Sequence, residues 1–224
     1  NKYKAVLLDF DGVVGKTMDD NYDSWVYAFE TIGITLKKNE YFLLEGLNSE
    51  GVAETILERN NSDVSLVNQM ADIKQKYYLQ NNSFEFYPGI IDFINSIEKG
   101  VKLGIVTGAS AERLAKTVPV DFLAKFGSIV SGDKVQNPKP SPEPYILASR
   151  DLNVSPSSCL VVENAPLGIE SAKKAGMDCV AVCSTLDKEF LLEADFVIDD
   201  ASLLRVLFQS INDEFTGRKP VQNK

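Results

Sequence analysis

Histidine is absent from the 224-residue sequence. Without it the chain has no Ser-His-Asp or Cys-His hydrolase site, no histidine zinc site and no histidine general base. Any catalysis must therefore use carboxylates, lysine, hydroxyls, backbone amides or a hard metal ion.

Cysteines and long apolar runs are also scarce. The three cysteines, Cys159, Cys179 and Cys183, are an odd number without metal-ligand spacing, so we predict buried, inert thiols rather than a disulfide scaffold. No stretch approaches the roughly 20 apolar residues that cross a bilayer. The first four residues lead directly into a strand pattern and lack the apolar segment of a signal peptide. We expect a cytoplasmic protein that does not bind membranes.

Basic residues are outnumbered by acidic ones, 23 to 32, which gives a formal net charge of -9. A field of this sign repels nucleic acids and anionic membranes, so neither is an expected partner. Hydrophobic residues make up 44% of the chain and charged residues 25%, a balance typical of soluble globular domains. The sequence does not set the oligomeric state, and we expect a monomer or a weak homodimer.

Apolar segments alternate with helical periodicity from Pro88 onward, which predicts a parallel α/β sheet. Two of the predicted helices are each followed by a glycine, Gly100 and Gly176, at the position of a helix C-cap. The predicted strands are 3–8, 101–106, 128–131, 159–162, 178–183 and 195–198.

Residues 16–83 differ in character from the rest of the chain. They contain no convincing strand, but they do contain amphipathic helices, with Trp25 and Phe29 on one apolar stripe and Met70 on another. We therefore predict a Rossmann-like α/β core, residues 1–15 and 84–224, with a helical cap at 16–83 inserted after the first strand. The tail from Thr216 onward is predicted to be unstructured.

Two carboxylates, Asp9 and Asp11, follow the first strand at its carboxyl end, where open α/β sheets bind ligands. Alternate residues of an extended chain point the same way, so both can face one space. One carboxylate can attack phosphorus while the other exchanges protons with the leaving oxygen and water. A nearby phosphate dianion then requires a hard cation, and oxygen ligands favour Mg²⁺. Asp is also common in strand-end turns, so this pair alone does not decide for a site.

Three further strand ends carry polar residues of matching chemistry. Thr107 and Gly108 offer a hydroxyl and amides to phosphate oxygens, or else a helix cap. Lys139 lies between two prolines that stiffen its loop, and it can neutralise phosphate or simply be solvated. Glu163 and Asn164 can complete a magnesium shell, or form a strand-to-helix turn with Asn164 as its cap. These alternatives do not predict the ordered set of four, which favours a phosphoryl-transfer site.

With these four motifs the sequence resembles the haloacid dehalogenase superfamily, in the branch with a helical cap inserted after the first motif. The segments DFDGVV at 9–14, TG at 107–108, Lys139 and ENAPLGIESA from 163 match its motifs in order, and the likeness spans essentially the whole chain. The resemblance implies that Asp9 is the nucleophile, Asp11 the acid and base, and Lys139 the residue that orients Asp9 and the phosphate.

The same resemblance implies two sets of binding residues. Phosphate would be held by Asp11, Gly12, Thr107, Gly108 and Lys139. Mg²⁺ would be held by Asp9, the Asp11 carbonyl, Glu163 and Asn164.

The sequence departs from the family pattern at two places. Asn164 stands where the fourth motif usually has a second acid, and a neutral amide is expected to weaken Mg²⁺ binding. The cap histidine, lysine and arginine of similar β-phosphoglucomutases align with Asn21, Glu45 and Ser49, so the cationic clamp for a second phosphate is expected to be missing. A true dehalogenase is not expected either, because enzymes with that activity lack the second aspartate of the first motif, which this chain has as Asp11.

The sequence as a whole predicts a Mg²⁺-dependent phosphatase that hydrolyses a small phosphorylated metabolite, such as a sugar phosphate, through an aspartyl-phosphate. Two alternatives stay open: a β-phosphoglucomutase-like mutase and a phosphate-binding protein without turnover. We also expect five cap residues to face the site: Glu45, Asn48, Ser49, Lys74 and Lys76.

Overall fold

The computed structural model describes residues 1–216 and contains a six-stranded, all-parallel sheet in the order β3-β2-β1-β4-β5-β6. Every predicted strand is present, with ends within two residues of the prediction. The strands are β1 Ala5–Leu8, β2 Lys102–Val106, β3 Ser128–Val130, β4 Cys159–Glu163, β5 Asp178–Val182 and β6 Phe196–Ile198. The α/β fold class predicted from the sequence is confirmed.

Four helices lie between β1 and the rest of the sheet domain, within the segment predicted to form a cap: α1 Met18–Glu30, α2 Lys38–Phe42, α3 Ser49–Arg59 and α4 Val67–Asn81. Six more alternate with the strands that follow: α5 Ile90–Ser96, α6 Ala111–Thr117, α7 Val120–Leu123, α8 Glu143–Asp151, α9 Pro166–Lys174 and α10 Leu204–Thr216. The predicted unstructured tail is wrong for Thr216, which ends α10; residues 217–224 lie outside the described part.

Side chains of β1 alternate between two apolar clusters, as expected for a strand covered on both faces. Leu7 belongs to a cluster that continues into the cap and includes Trp25 and Phe29. Val6 and Leu8 pack in the other cluster, beneath α5 and α10. The cap interior is therefore continuous with one face of the sheet, and Trp25 and Phe29 are buried as predicted.

The register of the central strands brings the predicted motifs together. Leu8 pairs with Ile105 of β2 and with Val162 of β4. The residues that follow each of these strands therefore meet at one edge of the sheet, beneath the helical insertion.

The cysteines form no disulfide among residues 1–216. Cys159 and Cys179 are buried as predicted, whereas Cys183 is half-buried because it follows the end of β5. No helix in this part of the chain combines the length and the apolar character that a membrane span requires.

Candidate active site

Asp9 lies just past β1, where its backbone N–H still donates to the Val162 carbonyl at 2.9 Å. The chain then turns sharply, and Gly12 has a φ of 88°, in the region that favours glycine. A β-carbon at Gly12 would lie 2.1 Å from Asn164 Nδ2, so the first and fourth motifs touch at this turn. Both constraints account for a glycine at position 12.

Lys139 joins two carboxylates from different strand ends. Its ammonium donates to Asp9 Oδ1 at 2.5 Å and to Glu163 Oε1 at 2.6 Å, and its side chain is 1% exposed. A third bond, of 3.1 Å, reaches the Val106 carbonyl at the end of β2. The structure therefore places Lys139 in the site, not in solvent.

The charges in this cluster shift one another's protonation. Burial alone would lower the pKa of Lys139, but the carboxylates of Asp9 and Glu163 outweigh it and hold that pKa above its ordinary value. Burial raises the pKa of Asp9 to about 8, a rise that the Lys139 charge limits. A further cation beside Asp9 would favour its ionised, nucleophilic form.

Thr107 and Gly108 follow β2 next to Asp9. Thr107 Oγ1 accepts the N–H of Ala109 at 3.0 Å, while Ser110 is the residue that caps the N-terminus of α6. Thr107 is thus not a helix cap, and its hydroxyl hydrogen remains available to a ligand. A β-carbon at Gly108 would lie 2.3 Å from the Leu47 carbonyl oxygen, so only glycine allows the cap loop to approach this closely.

Asp11 is paired with Arg113, a residue that the sequence analysis missed. Both guanidinium Nη atoms donate to the Asp11 carboxylate, Nη1 at 3.0 Å to Oδ1 and Nη2 to Oδ2. Thr17 and Asn21 also donate to Oδ1, at 2.5 and 3.1 Å. Burial opposes ionisation of Asp11, but Arg113 and these donors hold its pKa below the ordinary value. The one available signal was position: Arg113 lies in the first turn of α6, the helix that follows β2.

Lys74 enters the same cavity from α4. Its ammonium donates to Asn21 Oδ1 at 2.6 Å, and its side chain is almost fully buried. Burial, reinforced by the nearby Arg113 charge, lowers the pKa of Lys74 to about 7. Lys76, in contrast, is exposed, and the expectation that it faces the site is wrong. Two residues further along the helix, its side chain points to a different side.

The predicted loss of the cationic clamp concerns three aligned positions, which hold Asn21, Glu45 and Ser49, and it stays a prediction. Arg113 and Lys74 bring two other basic side chains to the cavity, from α6 and α4. A single-sequence alignment of the cap loop had no means of revealing them.

Glu45 of the cap contacts the fourth motif of the core. Its Oε2 accepts the Nδ2 of Asn164 at 3.0 Å and the hydroxyl of Thr185 at 3.1 Å. The other oxygens of this pair, Glu45 Oε1 and Asn164 Oδ1, are buried without a hydrogen-bond partner among residues 1–216. Buried polar oxygens normally accept a hydrogen bond, so these two oxygens are open to a donor or to a cation.

These open oxygens fit a hard cation. Glu45 Oε1 and Asn164 Oδ1 can join Asp9 and the Asp11 carbonyl as oxygen ligands of the kind that Mg²⁺ prefers. Within residues 1–216 no three acidic, histidine or cysteine side chains are grouped as a metal site on their own, so amide and carbonyl oxygens have to contribute.

Glu163 is engaged differently from its predicted metal role. Its Oε1 accepts Lys139 and the hydroxyl of Tyr145, and its Oε2 accepts the Asn164 N–H. In this arrangement it holds Lys139 in place, and a metal-ligand role for it stays a prediction. Asn164 is likewise not a helix cap, since Ala165 precedes the first residue of α9.

Ser49 and Asn48, the other two cap residues predicted to face the site, have different positions. Ser49 lines the cavity, whereas Asn48 caps α3 through its side chain, which accepts the Gly51 N–H at 3.0 Å. The cavity has a volume of about 50 Å³, and Asp9, Asp11, Arg113 and Lys74 all line it. This space admits only a few water molecules.

The model of the haloacid dehalogenase-like hydrolase family matches residues 6–182. The chain belongs to this family. It is 28% identical over 225 residues to the chloroplastic protein SUPPRESSOR OF QUENCHING 1 of Arabidopsis thaliana. That match covers 96% of this chain and 21% of the much longer relative. It is 29% identical over 213 residues to a phosphorylated carbohydrates phosphatase of Thermotoga maritima, a match that covers 91% of this chain and 98% of the relative.

The chain shares its fold with solved structures. The crystal structure of β-phosphoglucomutase from Clostridium difficile superposes with a TM-score of 0.83 at 26% identity, covering 96% of this chain and 100% of that chain. The helical insertion after β1 is therefore a feature that the chain shares with its structural relatives.

Proposed function

We propose that this protein is a Mg²⁺-dependent phosphatase of small phosphorylated metabolites and that it acts through an aspartyl-phosphate on Asp9. One observation carries the proposal: Lys139 bridges Asp9 and Glu163 at the carboxyl edge of the sheet, 2.5 and 2.6 Å from their oxygens. This arrangement fixes Asp9 and leaves one of its carboxylate oxygens free to attack phosphorus. The phosphatase named among the relatives supports the same chemistry.

In the first step Asp9 attacks the phosphorus atom. The Asp9 O–P bond forms and the bond to the leaving oxygen breaks, while Asp11, once it has separated from Arg113 and taken up a proton, gives that proton to the leaving oxygen. Thr107 and the Gly108 amide bind phosphate oxygens, and Lys139 offsets the charge that builds up on them.

In the second step water replaces Asp9. Asp11, now a carboxylate, takes a proton from the water, whose oxygen attacks phosphorus as the Asp9 O–P bond breaks. Inorganic phosphate leaves, Asp9 is regenerated and Asp11 again holds a proton, so the cycle is closed.

Charge balance supports a divalent cation in this cycle. Four acidic side chains meet three basic ones here: Asp9, Asp11, Glu45 and Glu163 against Lys74, Arg113 and Lys139. A phosphate dianion adds further negative charge. Bound Mg²⁺, held by Asp9, the Asp11 carbonyl, Asn164 and Glu45, would offset this charge and keep Asp9 ionised.

We further propose that residues 16–83 act as a lid on the core at 1–15 and 84–224. The contact of Glu45 with Asn164 and the close approach of Leu47 to Gly108 support closure over a bound substrate. Substrate entry would require opening, because the closed cavity is too small to admit a sugar phosphate from solution.

A sugar-phosphate mutase is the second candidate. The buried Arg113 and Lys74 favour it, because a bisphosphate intermediate needs cations for its second phosphate. The similarity to β-phosphoglucomutase of Clostridium difficile supports it as well.

The test is phosphate release from p-nitrophenyl phosphate and a panel of sugar monophosphates, with Mg²⁺ or with EDTA. Asp9→Asn is the matched variant, since it keeps shape and removes the nucleophile. The proposal predicts release that requires both Mg²⁺ and Asp9. Isomerised sugar without net phosphate release would favour the mutase, and binding of a phosphate analogue without any turnover would favour a non-catalytic protein.

A further inference from the structure

The cap loop, residues 43–48 between α2 and α3, packs directly against the core. Gly46 has a φ of 101°, and a β-carbon there would lie 3.3 Å from the Leu167 β-carbon. One residue further on, the Leu47 carbonyl oxygen lies so near Gly108 that a β-carbon at 108 would meet it. The cap loop therefore touches the segments that carry the second and the fourth motif.

Glu45 is the acid of this cap loop. It is 7% exposed and lines the cavity together with Asp9. Its Oε2 accepts the Nδ2 of Asn164, whereas its Oε1 and Asn164 Oδ1 are both buried without a hydrogen-bond partner among residues 1–216. Leaving such oxygens unpaired is costly. Two open oxygens, one from the cap and one from the core, thus belong to side chains that contact each other.

The core by itself offers a divalent cation little negative charge. Both oxygens of Glu163 accept hydrogen bonds from core residues, and both oxygens of the Asp11 side chain accept an arginine of α6. Asn164 is neutral, so within residues 1–216 Asp9 is the one acid of the four motifs with an oxygen that accepts no donor. Protein sites for Mg²⁺ commonly use one or two carboxylates, and Glu45 is placed to be the second.

We infer that Glu45 supplies from the cap the acid that the fourth motif lacks, so that the metal site is complete only while the cap loop lies against the core. This inference rests on the magnesium ion of the proposed function and adds that its binding is coupled to the position of the cap. A ligand that binds one of two conformations more tightly shifts the population toward that conformation by the ratio of the two affinities. Mg²⁺ should therefore hold the cap on the core, and an open cap should release the ion more readily.

Moving the acid from the cap to the core tests where the charge has to lie. Glu45→Gln keeps an oxygen that can accept Asn164 and removes only the charge, so Mg²⁺ affinity in calorimetry should fall about 10- to 100-fold. Adding Asn164→Asp restores a carboxylate on the core side and should recover about tenfold of that loss. Glu54→Gln, at an exposed acid of the cap, is the matched control and should keep the wild-type affinity. Unchanged affinity in Glu45→Gln would overturn the inference.

Amide hydrogen exchange measures the coupling without any turnover. In the wild type, saturating Mg²⁺ should slow exchange in peptides that contain the cap loop and residues 107–110 by about 10- to 100-fold, the factor by which Glu45 tightens metal binding. The double variant Glu45→Gln/Asn164→Asp should still bind the ion but show less than about threefold slowing, because its added acid belongs to the core. Equal slowing in the wild type and in the double variant would overturn the inference.

The wild-type protein decides the matter even if no variant folds. Mg²⁺ that binds without slowing exchange in the cap loop would overturn the inference and leave the proposed function standing, as long as phosphate is released. Coupled binding without phosphate release from any substrate of the panel would overturn only the proposed function. Absence of Mg²⁺ binding at millimolar concentration would overturn both.

Discussion

Replacing Lys139 with methionine should destabilise the fold as well as abolish turnover. The side chain is buried between Asp9 and Glu163, and Met has a similar length without the charge. Removal of one partner from a buried ionic cluster typically costs about 3–5 kcal/mol, because the remaining charges stay buried and unpaired. For a chain of this size that cost lowers Tm by about 6 to 20 °C.

The loss should depend on pH in a defined direction. In Lys139→Met the folded-state pKa of Asp9 lies further above its unfolded value, because the charge that limits its rise is gone, so the folded variant gains a proton as pH falls. The stability deficit relative to the wild type should therefore be smaller at about pH 5 than at about pH 8. Urea unfolding at both pH values measures it, with the exposed Lys99→Met as control. Adding Glu163→Gln should recover part of the loss. A deficit below about 1 kcal/mol, equal at both pH values, would refute the reasoning.

Three further predictions concern the metal, the cap and the first turn. Asn164→Asp should tighten Mg²⁺ binding roughly tenfold in calorimetry but lower Tm without metal, because Glu45 would then face a carboxylate; unchanged Mg²⁺ affinity would contradict this. Lys74→Met should stabilise the protein by about 1–2 kcal/mol. The wild-type protein should gain stability from about pH 7 to 10, because the unfolded chain still binds the proton that folded Lys74 has lost, and Lys74→Met should remove this gain. Urea unfolding measures the stabilisation and its pH dependence; the control Lys76→Met should stay within about 0.5 kcal/mol of wild type. Gly12→Ala should cost about 1–3 kcal/mol and most of the activity, because its β-carbon would meet Asn164 at 2.1 Å; a variant of wild-type stability and rate would show that the turn adapts.

The sheet was predictable because its signals are local. Each strand is a short apolar run that ends in a polar residue, and the parallel arrangement places all such ends at one edge. This rule is sufficient to bring Asp9, Thr107 and Glu163 together, whereas Lys139 lies in the longer loop between β3 and α8 and reaches the site from there.

The contents of the cavity were less predictable, since they depend on how the cap packs on the core. Arg113 lies in a short helix in which an arginine is normally solvated. Only its place in the first turn of that helix distinguishes it from Lys116 in the last turn. Lys74 and Lys76 are both lysines of α4, and the sequence does not show which of them faces the cavity. Lys74 is buried because its side of the helix packs toward the core. The contact of Glu45 with Asn164 joins residues more than one hundred positions apart.

Trapping the covalent intermediate tests the central claim most directly. A substrate-loaded sample is quenched in acid during turnover with Mg²⁺ and reduced with borohydride, which converts an aspartyl-phosphate into homoserine. Mass spectrometry of the N-terminal peptide should then locate homoserine at position 9, and neither EDTA-treated protein nor Asp9→Asn should yield it. Steady phosphate release with unmodified Asp9, or with homoserine at position 11, would contradict Asp9 as the nucleophile.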